Sequence, residues 1–186
     1  MSRSLSALGL LLLSSWLAVV CAAGLSAGVT FSTFPAQEPS VPGYEALDVE
    51  TRSRLVAGLV TEPVFSIADM AQLILCPLVI IVLFLQARVG DLVRRRATHV
   101  IRVAAVAIAT IVFFARWLFV NPPLNADLSA YRAAARDGDV VTALEILAGF
   151  EKWHHLAEGL WAAAAISLLI AIAATGAALP RGDGSR

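Results

Sequence analysis

Charge is scarce in this sequence, and lysine is scarcer still. Of 186 residues only 15% are charged, and Lys152 is the single lysine. A soluble domain carries roughly 25% charged and 45–50% apolar residues; here the apolar share is 59%, and acids and bases cancel to zero net charge. No global charge argument therefore points to nucleic acid. Cysteine is almost missing too. Cys21 and Cys76 both fall inside apolar stretches, where a thiol acts as a small hydrophobe, so a disulfide framework is not indicated. No nucleophile elbow is read, and also absent are a phosphate loop, a paired-carboxylate motif, and H-E-x-x-H or C-x-x-C spacing. Their absence leaves ordinary catalysis and zinc chemistry without support. No catalytic residue, metal ligand or cofactor is assigned. The two halves of the chain do not resemble one another, so no inverted repeat is read.

What is present is apolar residues gathered into four runs, each near the ~20 residues that cross a hydrocarbon core. The expected spans are approximately 5–30, 64–86, 100–120 and 156–179, with outer loops at 35–63 and 121–155 and a turn at 87–99. The fold class is all-α, a four-helix transmembrane bundle with short helices in the second outer loop. The turn carries Arg88, Arg94, Arg95, Arg96 and Arg102 against one acid, Asp91. Such a basic turn stays cytoplasmic and fixes the other segments by alternation, which puts both termini inside. Few lysines against many arginines fit a GC-rich bacterial genome, hence a bacterial inner membrane. The expected partners are the lipid bilayer and a membrane-protein partner or second copy, with no nucleic acid; lipid contact at the arginine turn follows from orientation alone.

Read in order, the chain supplies further expectations. Leu5–Ala27 reads as a retained span rather than a cleaved signal, because the apolar run continues through Val29, Phe31 and Phe34. Gly24 and Gly28 form a G-x-x-x-G pair expected to pack inside the bundle, with a dimer face as the weaker reading. Residues 48–59 read as a short helix lying at the interface. Pro77 is expected to bend the second span. Asn121-Pro122-Pro123 is expected to end the third helix. After it, Asn125 is expected to cap a helix over 126–136 that Gly138 stops, and Asp139 to cap another through Ala148, with a bend at Gly149.

Alternation brings Glu62, Asp69, Arg116, Asn121, Asn125, His154, His155 and Glu158 to one end of the bundle. His154 and Glu158 are four apart and share a helix face. Charge at membrane depth is costly unless paired, so Asp69 or Glu158 is expected to pair with Arg116; otherwise Arg116 snorkels to the head groups. A bis-histidine haem is disfavoured, since His99 and His154 lie about 30 Å apart across the bilayer. A zinc site would need His154, Glu158 and Asp69 to converge. A transport path would use Asp69, Arg116, His154 and Glu158 as stations, yet no ionisable residue falls mid-span. The leading reading is an integral membrane protein serving as a structural or interaction module. The alternative is a small transporter or channel component, and an enzyme is disfavoured.

The segment Phe150-Glu151-Lys152-Trp153-His154-His155-Leu156 is similar to the F-x-x-L-H motif that opens the last span of the transmembrane protein 205-like domain, a family of four-span proteins of unknown function. Trp153 stands at the family's leucine and His154 at its histidine, whereas Ala157 or Glu158 replaces its serine. The glycine-bearing first span with Phe31, Phe34 and Pro35 resembles the family's first segment. Arg116 followed by Pro122-Pro123-Leu124-Asn125 resembles its third-span exit. The resemblance implies a four-helix membrane domain and adds no activity.

Overall fold

The computed structural model describes residues 3–88 and 96–178. Its elements are α1 (Arg3–Thr33), a 3-10 turn (Phe34–Gln37), α2 (Val49–Arg88), α3 (Arg96–Ala115), a π-helical turn (Arg116–Val120), α4 (Asn121–Arg136) and α5 (Val140–Ala178). There is no strand among the described residues, and the class is all-α. Because α3, the π turn and α4 run on without a gap, the bundle has four long helices, each long and apolar enough to cross a membrane. Arg94 and Arg95 lie outside the described residues, as do Asp91 and the tail beyond Ala178. Arg88 is exposed, its guanidinium 4.9 Å over the Phe84 ring. Arg102, expected in the basic turn, is instead buried in α3.

The helices are far longer than the runs that announce them. At 1.5 Å per residue, α2 with 40 residues and α5 with 39 each extend about 60 Å, twice the ~30 Å hydrocarbon thickness. The short interfacial helix expected at 48–59 is therefore a correction: those residues are the first turns of α2. Asp48 caps it, accepting from the Thr51 amide at 3.0 Å, and the helix continues through Pro63 and Pro77. Each proline removes one backbone bond, but the helix faces held by neighbouring segments keep it continuous.

The second outer loop needs the same correction. Asn121-Pro122-Pro123 does not end the helix. Prolines 122 and 123 have no N–H to offer the carbonyls four residues back, and their rings crowd those carbonyls. The π turn just before them relieves this, with the Asn121 amide donating to the Arg116 carbonyl. The prolines then occupy the first turn of α4, where a missing N–H costs least. Asn125 consequently lies one turn inside α4 and caps nothing. Gly138 does stop α4, at φ +79, and Asp139 caps α5, accepting from the Thr142 amide at 3.1 Å. The expected bend at Gly149 is absent: α5 runs unbroken from Val140 to Ala178.

Two cores stack along the long axis. One, toward the end where Arg88 and Arg102 lie (the arginine end), joins Leu13, Trp16, Cys76, Val79, Ala109, Phe113 and Leu168. It is built largely of small or branched aliphatics from all four helices. The other, in the far half, joins Tyr44, Leu47, Leu55, Tyr131, Ala135 and Ala143. There α1 has ended, and the connection before α2 takes its place by inserting Tyr44 and Leu47. Gly24 and Gly28 are exposed, and a Cβ at either would meet nothing within 4 Å. The pair thus faces outward rather than packing inside the bundle as its spacing led us to expect.

Candidate functional site

Between the two cores lies a buried polar cluster. Asp69 sits near the middle of α2, and Arg116 opens the π turn across from it. The two form an ion pair with side chains only 13% and 6% exposed. That burial overrules snorkelling: Arg116 points into the bundle. Its Nη2 bonds Asp69 Oδ1, and its Nη1 bonds Asp69 Oδ2 at 3.3 Å and Asn121 Oδ1 at 3.1 Å. Asn121 Nδ2 returns to Asp69 Oδ2 at 3.0 Å. The π turn makes this possible by turning Arg116 and Asn121, five residues apart, toward one carboxylate.

The cluster reaches further than the charged residues foretold. Gln72, one turn along α2, donates from Nε2 to Asp69 Oδ1 at 3.5 Å and accepts from Trp16 Nε1 on α1 at 3.2 Å. The Arg116 guanidinium lies 4.5 Å over the Trp161 ring of α5 and 5.9 Å from that of Phe113. Phe65 meets Trp161 edge to face at 5.7 Å. All four long helices therefore close on one ion pair. Trp16, Trp161 and Gln72 went unassigned from sequence, though a usable signal existed. An indole N–H buried in an apolar run needs an acceptor, and Gln72 stands at i+3 from the Asp69 it supports.

Counting lone pairs shows what the carboxylate has left. A carboxylate offers about four acceptor sites. Asp69 uses four, two to Arg116 and one each to Gln72 and Asn121. Such a saturated, low-dielectric pair is strong as a link and closed as a reagent.

The other residues expected here lie apart from it. Glu158 pairs with both histidines of its own helix, His154 Nε2 and His155 Nδ1 each at 3.2 Å, and not with Arg116. This trio is largely exposed, and the His154 ring stacks on Phe150 at 5.4 Å. Asn125 is exposed on α4. Glu62 reaches across to α4 and bonds Arg132 at 2.7 Å. Among the described residues no group of three or more His, Cys, Asp or Glu is placed to hold a metal. Asp69, taken up by Arg116, does not join His154 and Glu158. No family model matches the chain, and no curated protein or solved structure is significantly similar to it.

Proposed function

We propose that this protein is a structural or interaction module of a membrane, its four helices locked by the Asp69–Arg116 pair. One observation carries the reading: every acceptor site of Asp69 is already taken by a side chain of the protein. A transport station must exchange partners with a proton, ion or substrate, whereas a lock keeps them. The resemblance to the transmembrane protein 205-like domain is kept as a proposal for the layout alone. We further propose a bacterial inner membrane with the arginine end cytoplasmic, on the basic excess around the turn.

The test is flux. Purified protein in sealed vesicles is expected to pass protons, sodium, potassium and chloride no faster than empty vesicles do. The paired replacement Asp69→Leu with Arg116→Met is expected to keep native helicity, because similar apolar groups replace both partners of a buried pair. An ion flux that the double variant abolishes would overturn the reading in favour of a small transporter. For orientation, replacing Cys21 and Cys76 and placing one cysteine beside Arg95 is expected to give a thiol unreachable from outside the cell. Labelling from outside reverses the topology.

A further inference from the structure

Toward the arginine end, the same two helices repeat part of the Asp69 cluster. Gln86 follows Gln72 by fourteen residues on α2, and on the antiparallel α3 Arg102 precedes Arg116 by fourteen. Fourteen residues are close to four turns, about 21 Å of rise, so each side chain returns to the same helix face. The position matching Asp69 is Leu83. The second rung thus has the glutamine and the arginine but no carboxylate.

Its geometry shows the gap. Gln86 is 1% exposed and Arg102 5%. Both border a void that Gly9, Leu83 and Thr175 also line. Gln86 Nε2 donates to the Leu5 carbonyl at 3.0 Å, and Arg102 Nη2 meets His99 Nδ1 at 3.4 Å. Gln86 Oε1 and Arg102 Nε remain without partners, and no acid pairs with Arg102 among the described residues. A guanidinium held inside an apolar bundle without counter-charge is costly, and Asp69 removes that cost one rung away. The void takes about one water-sized group. What enters must accept from Arg102 Nε–H, donate to Gln86 Oε1, and bring negative charge with it.

We propose that the Arg102–Gln86 void binds a hydroxylated phosphate ester, presented by the headgroup of an anionic phospholipid such as phosphatidylglycerol. One headgroup hydroxyl fills the void and bridges Gln86 and Arg102. The attached phosphate stays at the mouth and supplies the counter-charge that Leu83 does not. This site rests on the membrane location alone and is independent of whether the Asp69 pair is a lock.

The experiment is thermal unfolding of the full chain in a neutral detergent, with added phosphatidylglycerol, phosphatidylcholine or soluble glycerol phosphate. Phosphatidylglycerol is expected to raise the wild-type midpoint by several degrees and phosphatidylcholine to raise it far less. Arg102→Gln is expected to abolish the rise. Leu83→Asp, which completes the rung from within, is expected to raise the midpoint without lipid and leave the added lipid nothing to do. An equal rise with glycerol phosphate keeps the site and makes the free ester its ligand. Equal effects of the two lipids, or a full rise in Arg102→Gln, overturn the proposal. So does a lipid response that appears only in Asp91→Asn or Asp183→Asn, because an acid of the chain would then already fill the place.

Discussion

The two halves of the bundle share α2, the α3–α4 rod and α5, and little else. Toward the arginine end, the outward faces of α2, α3 and α5 carry Ile74, Ile81, Phe84, Ile111 and Leu169, all exposed, while the interior is packed with aliphatics around Trp16 and Phe113. In the far half the exposed faces carry ion pairs such as Arg54–Glu50. The interior there is a tyrosine core with polar rims: Arg136 Nη2 bonds the Tyr44 hydroxyl at 3.0 Å and its guanidinium lies over the same ring. Water drives apolar side chains together through the hydrophobic effect, whereas hydrocarbon gives helices no such reason to associate. The first half must therefore be held by packing and by polar links. The Asp69 cluster stands between the two cores, where the apolar outer faces give way to charged ones.

The comparison can be broken most severely at that boundary. Asp69→Ala leaves Arg116 buried without its counter-charge, and the expected loss is about 3–5 kcal/mol, read as a lower unfolding midpoint in detergent. The double replacement with Arg116→Met should recover most of it, and failure to recover would mean the pair does more than cancel charge. In the far half, Tyr44→Phe keeps the ring and removes the hydroxyl. The expected loss is about 1 kcal/mol, with faster amide exchange in the far half and unchanged exchange around Leu168. Equal change in both halves would show that they unfold as one. At the arginine end, Gly9→Ala places a Cβ 2.8 Å from Gln86 Nε2. The glutamine must shift, at a cost of about 1 kcal/mol confined to the arginine half.

The smallest effect is a matter of pH. The Thr142 side chain and amide bond the Asp139 carboxylate and hold it below its ordinary value. A depressed carboxylate stabilises the folded state above its unfolded pKa, and that contribution is lost as pH falls through the folded one. The Thr142 amide should therefore lose protection, measured against its intrinsic exchange rate at each pH, as the solution is acidified, and Asp139→Asn should make that protection independent of pH. No change with pH would show that the cap contributes nothing to holding α5's first turn.

Much of the fold was legible, and the misreadings share a cause. Apolar run length marks where lipid begins and ends, not where a helix does. Residues 49–63, 121–136 and 140–155 continue their helices into a polar setting that hydropathy reads as loop. Pro122 and Pro123 were read as a stop because the rule assumes an α-helix before them, and a π turn stands there instead. The Asp69–Arg116 pair was foreseeable from the cost of a buried charge. Its neutral partners Trp16, Gln72 and Trp161 were not singled out, since each taken alone is unremarkable in a membrane helix. Gly24 and Gly28 show the converse: small-residue spacing says that an approach is possible and is silent about from which side.

The five-residue turn from Arg116 to Val120 works as a phase shifter. It takes one residue more than an α-helical turn, offsetting the helix beyond it by about 100° relative to an unbroken α-helix. Without it, the stripe that presents Phe113 to the first core would continue on a different side of the bundle, and Tyr131 and Arg132 would be rotated off Tyr44 and Glu62. One inserted residue therefore lets a single rod mesh with two gears of different pitch, and any deletion within that stretch would unseat the far core without touching a residue in it.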